Sequence, residues 1–444
     1  MIRRSALKRP QYNFKQIRAN VEDLQKSVDR RGYALPENKT VAQVVADYDR
    51  YLRATKLKEL VRRQQKALQV PFQDKAIRQD KHAFEELKRK LDFSKSMLKE
   101  YQHRADQAEI EALVGIDALP NYISPDAVGL FDNQMVEIIN RNKQIDADPT
   151  RDHLKIALDL GLVDFESASV STGASWYFLI NDGALLEMAL VQYALSKARS
   201  YGWRVVTPPA VVREEFTHAC GFKPRDQDNA QQVYMIPENG LCLTGTAEVP
   251  LAAMAANKTI DGPKVRVVGY NKSYRAEAGA RGRDTRGLYR VHEFGKVELF
   301  AWAQDLHVSQ QVHDEILEMQ KEIINDLGLC ARVLNMAPFD LGAPAYKKYD
   351  IEAWMPGRGD WGEVTSTSNC LDYQSRRLHT KMKHNETGEV DFAHTLNGTA
   401  VAVPRLIIAL LETHYDPTTE RVWVPPVLRP YLNKEYIEKQ RPIF

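Results

Sequence analysis

Two short stretches of the sequence combine side chains that could hold a nucleotide. Arg275 and Glu277 precede a loop rich in arginine and glycine, and Phe294 and Glu298 follow it. A guanidinium group can bind phosphate through its planar array of N–H donors, and a phenyl ring can stack on a purine. A carboxylate can accept a hydrogen bond from an exocyclic amine. Because every second side chain of a strand shares one face, two adjacent strands would bring these groups together. The pattern predicts a platform for an anion joined to a heterocycle.

The strand that follows the loop is predicted to begin at Tyr289. Alternation places Arg290, His292, Phe294, Lys296 and Glu298 on the platform face. It places Tyr289, Val291, Val297 and Leu299 on the opposite face. The loop would add the guanidinium groups of Arg281, Arg283 and Arg286. A solvated outer strand surface is the alternative interpretation of such a polar row, but a phenyl ring in its middle argues against it.

The whole-chain composition is that of a globular protein. The chain has 444 residues, of which 43% are hydrophobic and 27% charged, with a net charge of +2. This length favours two domains, and the small net charge means that a nucleic acid would have to be bound by local patches. No apolar run reaches the roughly 18 residues of a membrane span, so no membrane partner is expected. The scattered Cys220, Cys242, Cys330 and Cys370 argue against a zinc knuckle or disulfide framework and favour a reducing compartment.

Residues 14–113 are highly charged and predict two long helices. An apolar seam advances by three and four positions, with one polar slip, along Phe84, Leu87, Leu91, Ser94, Leu98, Tyr101, Ala105 and Ala108. An earlier stripe runs along Val41, Val44, Tyr48, Tyr51 and Leu52, and Pro71 separates the two segments. Because neither helix can bury its stripe alone, they are expected to fold back as an antiparallel two-helix coiled-coil arm over about residues 40–113.

Lysine and arginine are concentrated on the outer faces of this arm, in "RRQQKALQ" (62–69) and "KRK" (88–90). Such runs are commonly no more than solvated surface. The functional alternative is a rod that lies on the phosphate backbone of a nucleic acid and is held there by counterion release. The narrow seam gives the arm little value as a core, so its length favours a role in reaching a partner.

From about Val114 the composition becomes that of a compact domain. A helix is predicted over residues 184–201, ending at Gly202, and a strand with a Pro-Pro break over 203–212. Further strands are predicted at 241–244, 265–274, 288–303, 349–355 and 390–396, with a last helix after them. Mostly antiparallel strands with helices packed on one side indicate an α+β fold.

Four motifs carry a family resemblance. "SYRAEAG…RVHEFGKVELF" (273–300) resembles motif 2 of the class II aminoacyl-tRNA synthetases, and specifically of their seryl-tRNA synthetase family. "TGTAEVP" (244–250) is similar to that family's serine-binding loop, "WGEVTSTSNCLDYQSRR" (361–377) to its E-[IV]-[ST]-S-x-S-N segment, and "HTLNGTAVAVPR" (394–405) to its motif 3. The resemblance implies an antiparallel-sheet class II catalytic domain over residues 121–444 and an N-terminal tRNA-binding domain over residues 1–120.

The resemblance also implies the ligands of ATP and Mg²⁺. Arg275 would hold the α-phosphate, Phe294 would stack on the adenine, and Arg405 would reach the γ-phosphate. Glu277 would contact the edge of the adenine, while Glu363 with Ser366 would hold the magnesium. The implied catalytic residues are Arg275, Glu277, Glu363 and Arg405. The implied ATP site is completed by Ala276, Val291, Val364 and Thr365.

A serine site is implied by the same resemblance, formed by Thr246, Ala247, Glu248, Glu298, Asn397 and Thr399. Thr246 and Glu248 would receive the substrate's amino group, and Glu298 with Thr399 would meet its hydroxyl. The family usually has serine at the position of Thr399, a departure that keeps the hydroxyl. Alanine would leave the carboxylate of Glu298 unpaired, so strong rejection of alanine is expected, at roughly 10⁴-fold or more.

The implied chemistry needs no protein nucleophile. The carboxylate of serine attacks the α-phosphorus of ATP, and the seryl adenylate passes its acyl group to the terminal ribose of tRNA(Ser). His292 and His394 are alternative candidates for bases, although hydrogen-bonded structural histidines are commoner. The arm would contact the tRNA, and Pro208 with Pro209, which resemble motif 1, would lie in a homodimer interface.

Other interpretations stay open at this point. A ligase that charges a carrier protein, a scaffold built on a degenerate synthetase, and a purely RNA-binding protein would share parts of the pattern. The N-terminus has no acid before Glu22 and carries Arg3, Arg4, Lys8, Arg9, Lys15 and Arg18. It resembles an organellar transit peptide and predicts the mitochondrial matrix. A solvated or RNA-contacting basic tail, on a protein of the cytoplasm, is the alternative.

Overall fold

The structure is a computed structural model that describes residues 6–222, 231–237, 239–277, 286–441 and 443. Arg3, Arg4, Arg281 and Arg283 therefore lie outside the described residues. The chain divides into two compact units, one of Asn13–Tyr122 and one of Met1–Tyr12 with Ile123–Phe444. Within the described part of the chain, no helix combines the length and the apolar character needed to cross a membrane.

The smaller unit is helical throughout. Its helices are α1 (Phe14–Ala19), α2 (Val21–Arg30), α3 (Val41–Gln69), α4 (Lys75–Gln79) and α5 (Lys81–Asp117). A capping box between Thr40 and Gln43 starts α3, and the carboxylate of Asp80 caps the first backbone N–H groups of α5. Pro71 opens the connection between the two long helices, as expected of a residue that cannot continue a helix.

The two long helices run antiparallel, as predicted. Tyr51 Oη lies 3.4 Å from Glu109 Oε1, and the guanidinium of Arg50 lies 3.1 Å from the carboxylate of Glu111. A Cβ added to Gly115 would lie 3.2 Å from both methyl groups of Val44, so the missing side chain lets the helices approach closely. All eight predicted seam residues are buried or half-buried. The prediction that Leu52 belongs to the apolar stripe of α3 was wrong, because its side chain is exposed. Val45 of the same helix is buried instead.

The larger unit is built on one eight-stranded sheet. Its strands are β1 (Gln134–Ile139), β2 (Arg204–Val206), β3 (Lys264–Tyr274), β4 (Glu293–Ala303), β5 (Ala331–Asn335), β6 (Lys347–Met355), β7 (Asp360–Asn369) and β8 (His394–Ala402). Their spatial order is β1-β5-β6-β7-β8-β4-β3-β2. Every neighbouring pair is antiparallel except β2 and β3, which run parallel.

Nine helices of the described residues accompany this sheet, α6 (His153–Asp159), α7 (Glu166–Ser171), α8 (Asn181–Ser200), α9 (Glu214–Ala219), α10 (Glu248–Ala253), α11 (Leu306–Asp326), α12 (Tyr373–Leu378), α13 (Val403–His414) and α14 (Arg429–Leu432). The remaining short strands are Val163–Asp164, Phe178–Leu179, Val211–Arg213, Met235–Ile236, Leu241–Leu243, Thr259–Asp261, Lys381–Lys383, Val390–Phe392, Tyr415–Asp416, Arg421–Trp423 and Tyr436–Ile437.

The two faces of β4 show how the layers are arranged. Val297 and Leu299 pack into the main core with the long helices α8, α11 and α13. Phe300 and Trp302, on the opposite face, pack into a second core with α9, α10 and α12. The predicted α+β fold with a mainly antiparallel sheet is confirmed. The prediction of helices on one side was incomplete, because three short helices cover one end of the other face.

One predicted strand boundary near the loop differs from the structure. Strand β4 begins at Glu293 rather than at Tyr289, and residues 286–292 lie outside the ladder. Residues 6–12, predicted as part of a leader or a basic tail, are hydrogen-bonded to the larger unit. The backbone N–H of Ala6 donates to Glu215 at 2.9 Å, and that of Gln11 donates to the carbonyl of Arg376 at 3.3 Å.

Candidate active site

The predicted nucleotide residues meet in one cleft on the face of the sheet opposite the long helices. The cleft is open to solvent, has a volume of about 560 Å³ including the solvent at its mouth, and draws its walls from β4, β7, β8 and the start of α13. Of the ten residues implied as ATP ligands, all but Ala276 line it. Six further lining residues were not among the predicted ligands: Leu288, Tyr289, Arg290, Lys296, Ala402 and Pro404. Three of these, Leu288, Tyr289 and Arg290, come from the stretch before β4, where strand alternation does not apply.

Arg275 and Phe294 lie on neighbouring segments of the sheet at one wall of the cleft. Phe294 pairs in register with Ser273 of β3, which brings it beside Arg275 just past the end of that strand. The guanidinium carbon of Arg275 lies 5.3 Å from the centre of the phenyl ring, and its Nε donates to the carbonyl of Gly245 at 3.3 Å. Burial, followed by the charge of Arg405, lowers the pKa of Arg275. An arginine nevertheless stays protonated at neutral pH, so the cleft holds a fixed cation.

Arg405 and Glu363 form an ion pair at the opposite wall. Arg405 lies in the first turn of α13, and its guanidinium nitrogen is 2.9 Å from Glu363 Oε2 and 3.0 Å from the carbonyl of the same residue. Burial opposes ionisation of Glu363, but the charges of Arg405, Lys348 and Arg275 outweigh it and lower the pKa of the carboxyl group. The pair therefore presents a cation and an anion side by side at neutral pH.

Glu277 is held in a conformation that few residues adopt. Its φ of +46° lies in the left-handed region, and its carboxylate is 3.2 Å from the guanidinium of Arg290. Strain of this kind, in a residue other than glycine, is concentrated at binding sites because the surroundings must enforce it. Arg290 thus reaches Glu277 from outside the ladder rather than from the strand position predicted for it.

A second group of polar side chains lies beside the cleft, along β4 and β8. Glu298 stands directly opposite Thr399 in the register of these strands, next to an irregularity in the pairing. Lys296 Nζ lies 2.5 Å from Glu298 Oε2 and 3.1 Å from Thr246 Oγ1. Lys296 was not a predicted ligand, although its alternation with Phe294 and Glu298 had placed it on the same face.

Glu248, at the start of α10, completes this group. Its Oε1 accepts hydrogen bonds from Gln374 Nε2 at 2.6 Å and from Asn397 Nδ2 at 2.9 Å. Burial, reinforced by the charge of Glu298, raises the pKa of the Glu248 carboxyl group to about 7. Gln374 was not among the predicted ligands. Ala247, which was predicted, is buried in the second core.

The two histidines considered as bases lie outside the cleft. Nδ1 of His292 is 2.9 Å from the hydroxyl of Tyr234, and its ring stacks on Trp176 at 5.6 Å. Nδ1 of His394 is 3.2 Å from Ser309 Oγ. Nδ1 of His292 also lies 3.1 Å from the carbonyl of Arg275, so this ring sits behind a residue of the cleft wall without lining the cleft itself.

The arrangement separates two kinds of recognition. One end offers a phenyl ring and two guanidinium groups to a phosphate-bearing heterocycle. The other end offers buried carboxylates, one ammonium and two hydroxyls, which suit a small molecule that carries both charges and a hydroxyl. No part of this arrangement depends on a protein nucleophile, because the groups hold and neutralise their ligands.

Comparison with protein families agrees with the geometry. Residues 233–414 match the family described as tRNA synthetase class II core domain (G, H, P, S and T). The mitochondrial serine–tRNA ligase of Saccharomyces cerevisiae is 41% identical over 431 residues, which cover 96% of each chain. The mitochondrial serine–tRNA ligase of Schizosaccharomyces pombe is 47% identical over 300 residues, 66% of this chain and 61% of its own. The serine–tRNA ligase of Borreliella burgdorferi is 41% identical over 77% of this chain and 81% of its own.

Solved structures give the same assignment. The seryl-tRNA synthetase of Pyrococcus horikoshii, crystallised with ATP, superposes with a TM-score of 0.84 at 29% identity over 97% of this chain and all of that one. The cytoplasmic serine–tRNA ligase of Naegleria fowleri, in complex with AMP, superposes with a TM-score of 0.79 at 26% identity over 96% of this chain and 98% of its own. With relatives matched along nearly their entire length, the chain belongs to the seryl-tRNA synthetase family of class II aminoacyl-tRNA synthetases.

Proposed function

We propose that this protein is an ATP-dependent serine–tRNA ligase. It activates L-serine to seryl-adenylate and then transfers the seryl group to tRNA(Ser). The observation that carries the proposal is the continuity of one sheet face. Along β4, Phe294 of the nucleotide cleft is followed two residues later by Lys296 and four residues later by Glu298, which faces Thr399. A nucleotide in the cleft and serine in the polar group would thus lie end to end.

In the first step, serine and ATP are aligned by fixed charges. Arg275 would neutralise the α-phosphate while Phe294 stacks on the adenine, and Arg405 would hold the γ-phosphate. A carboxylate oxygen of serine then forms a bond to the α-phosphorus as the bond to the bridging oxygen of pyrophosphate breaks. The protein supplies alignment and charge compensation, which together can account for most of such a barrier.

Mg²⁺ is part of the proposal, because the residues in the cleft fit it. Magnesium prefers oxygen ligands and is usually held by one or two carboxylates together with substrate phosphates. Glu363, ionised and at the rim of the cleft, and the hydroxyl of Ser366 in the same wall offer such oxygens. When bound, the ion would neutralise phosphate charge. Arg405, which pairs with Glu363 in the unliganded cleft, would be free to turn to the γ-phosphate.

Serine is proposed to bind with its ammonium group at Glu248 and Thr246 and its hydroxyl at Glu298 and Thr399. Lys296 bridges the two halves, because its ammonium contacts both Glu298 and Thr246. In the second step, a ribose hydroxyl at the end of the tRNA attacks the serine carbonyl, and AMP leaves as the new ester forms. A carboxylate waiting for a hydroxyl explains why alanine would be rejected.

The arm is proposed to bind tRNA(Ser), on the evidence of its charge distribution. Residues 53–69 carry six basic and one acidic side chain, and residues 81–99 carry six basic and three acidic. Residues 100–117 carry five acidic side chains and one basic. Because α3 and α5 are antiparallel, the two basic stretches coincide at the distal half of the arm. A positive rod of this kind suits the sequence-independent recognition of an RNA backbone.

Two chains are proposed to pair as a homodimer. Phe178, Leu185 and Met188 are 47%, 43% and 62% exposed on and beside α8, a helix whose other side packs into the main core. Contiguous exposed apolar residues on one face mark an interface more often than free surface. Pro208 and Pro209, which resemble motif 1, follow β2 at the edge of the sheet next to this helix.

The remaining parts of the proposal concern organisation and location. A tRNA-binding domain over about residues 1–120 and a catalytic domain over 121–444 are supported by the division of the chain near residue 122, while residues 1–12 group with the larger unit. A mitochondrial matrix location is supported by the basic start and by the mitochondrial designation of the two yeast relatives. The cytoplasm is the alternative, since the similar N. fowleri enzyme is a cytoplasmic serine–tRNA ligase.

The proposal is tested by identifying the molecule that receives the activated serine. Purified protein with ATP, Mg²⁺ and radiolabelled serine should form an acid-precipitable, base-labile product with tRNA(Ser) and none with another tRNA. A carrier-protein fraction serves as the competing acceptor. Label on the protein fraction instead of the tRNA would replace the proposed function by that of a carrier-charging ligase.

A further inference from the structure

A buried carboxylate lies behind the nucleotide cleft and has no part in the proposed chemistry. Glu412, on α13, is fully buried. Its Oε1 accepts the backbone N–H of His153 at 3.2 Å and contacts Nδ1 of the same residue at 3.1 Å, while its Oε2 accepts the backbone N–H of Arg358 at 3.0 Å. Burying a carboxylate costs free energy unless it is hydrogen-bonded in this way, so a specific role for Glu412 is expected.

His153 connects this carboxylate to the chain that leaves the arginine-rich loop. The backbone N–H of Leu288 donates to Nε2 of His153 at 3.4 Å. In the tautomer that accepts this bond, Nε2 carries no proton and Nδ1 donates to Glu412. The carboxylate thus selects the tautomer that can accept the bond from Leu288.

The same histidine explains why residue 287 is a glycine. Gly287 has a φ of +71°, and a Cβ placed on it would lie 2.4 Å from Nε2 of His153. The backbone can therefore approach the imidazole only because no side chain is present there. This contact lies at the point where the described chain resumes after residues 278–285, and it keeps residues 286–292 out of the β4 ladder.

Tyr289, the next residue after Leu288, faces the cleft. The guanidinium carbon of Arg358 lies 4.2 Å from the centre of its ring and that of Arg405 lies 4.8 Å from it. Leu288, Tyr289 and Arg405 all line the nucleotide cleft. Glu412 therefore reaches this wall by two routes, through His153 to Leu288 and through the backbone of Arg358 to the ring of Tyr289.

We propose that His153 and Glu412, together called the clamp, are positioning residues for ATP. They fix Leu288 and Tyr289, and through Tyr289 the guanidinium of Arg405, in the place where a nucleotide triphosphate needs them. The inference rests on the proposed function and adds to it two residues that touch no substrate. It predicts that loss of the clamp affects ATP and spares serine, because the serine group lies on the far side of Phe294.

The test compares His153→Ala with two conservative variants and one control. In ATP–pyrophosphate exchange, His153→Ala should raise the KM for ATP about tenfold or more, as misplacement of a positioned group does. The KM for serine should stay within about twofold. His153→Gln keeps an acceptor near the place of Nε2 and should recover part of the ATP affinity. His153→Asn, which imitates only Nδ1, should recover less.

His414 provides the matched control. Like Glu412 it lies on α13, and its ring contacts the carbonyl of Leu327 at 2.8 Å, away from the cleft. His414→Ala should lower the unfolding temperature without changing either KM. The clamp is refuted if His153→Ala raises both KM values equally, leaves both unchanged, or behaves as His414→Ala does.

Calorimetric titration with ATP alone separates this inference from the proposed function. If the unaltered protein binds ATP but catalyses exchange with no amino acid, the proposed function fails, and weaker ATP binding by His153→Ala would still support the clamp. If the unaltered protein does not bind ATP, both are overturned. Equal ATP affinity in the unaltered protein and in His153→Ala overturns the clamp alone.

Discussion

Among single residues, Arg275 is proposed to have the most direct role, because its half-buried guanidinium group lines the cleft in which the reacting phosphate is proposed to lie. Removing one preorganised donor from such a site costs about a hundredfold to a thousandfold in rate. We expect Arg275→Ala to lower serine-dependent ATP–pyrophosphate exchange by at least that factor while the circular dichroism spectrum stays unchanged. Arg429→Ala, at a surface pair with Glu435, serves as the control and should keep full activity. Retained exchange in Arg275→Ala would remove its phosphate role.

The raised pKa of Glu248 leads to a pH prediction. Its pKa is about 7 in the free protein because the carboxyl group is buried beside Glu298. Below that pH the protonated group cannot pair with the ammonium of serine, so kcat/KM for serine should fall with decreasing pH along a one-proton limb near pH 7. Bound serine favours the carboxylate, so the limb in kcat should lie at lower pH. The profile of kcat/KM for ATP at saturating serine should lack this limb, and a flat serine profile would contradict the assignment.

The same shift affects stability with the opposite sign. The folded protein holds the proton of Glu248 more tightly than the unfolded chain, whose carboxyl group titrates near 4.5. The contribution of this group to the free energy of unfolding is therefore largest at low pH and is lost as the pH rises from about 4.5 through about 7.

Sequence patterns predicted the residues of this site unevenly. Phe294 and Glu298 could be placed on one face because β4 obeys strict alternation. The roles of Lys296 and Gln374 could not be predicted in this way, since each depends on a partner from a distant segment. Lys296 contacts Thr246, and Gln374 contacts Glu248 from a residue 126 positions away. Such contacts are set by the packing of α10 and α12 against the sheet, which no local spacing encodes.

At the level of elements, the arm is the part whose removal should separate the two reaction steps. It belongs to the smaller compact unit, and the described residues that line the cleft run from Arg275 to Arg405. We expect deletion of residues 40–113 to leave the rate of exchange within about threefold and to abolish serine transfer to tRNA, because backbone contacts supply most of the affinity for nucleic acid. Exchange and aminoacylation are measured on the same preparation.

Equal loss of both activities would show that the arm supports the catalytic unit instead.

A second arm variant tests the contribution of its positive charge to tRNA binding. Arg63, Lys88 and Arg89 are exposed and basic in the distal half, so their replacement by alanine should weaken tRNA binding and flatten its dependence on salt. Lys383→Ala, an exposed lysine of the larger unit, is the control.

The elements also show where period-based prediction succeeds and fails. The arm helices were predicted because an uninterrupted seam of one period extends over many turns. The start of β4 was misplaced by four residues because Tyr289 and Val291 continue the alternation by chance. Gly287, at φ +71°, and the bond from Leu288 to His153 keep that stretch out of the ladder. The second layer of short helices was missed because helices of six residues have too few turns to show a period.

At the scale of the whole molecule, the apolar face of α8 predicts a dimer. Met188 is 62% exposed at its centre, and a carboxylate there would have to be buried on association. We expect the unaltered protein to have the mass of two chains by light scattering and Met188→Asp to have the mass of one. Leu158→Asp, at a residue 52% exposed on α6, is the control and should stay dimeric. A monomeric unaltered protein would contradict the interface.

In the proposed arrangement, one sheet face holds ATP and serine end to end, so that serine is activated without a protein nucleophile. Its most direct test is ATP–pyrophosphate exchange measured with each of the twenty amino acids in turn. We predict exchange with serine and a rate with alanine lower by roughly 10⁴-fold or more, because alanine leaves Glu298 unpaired. Equal exchange with a different amino acid, or exchange with none, would contradict the claim.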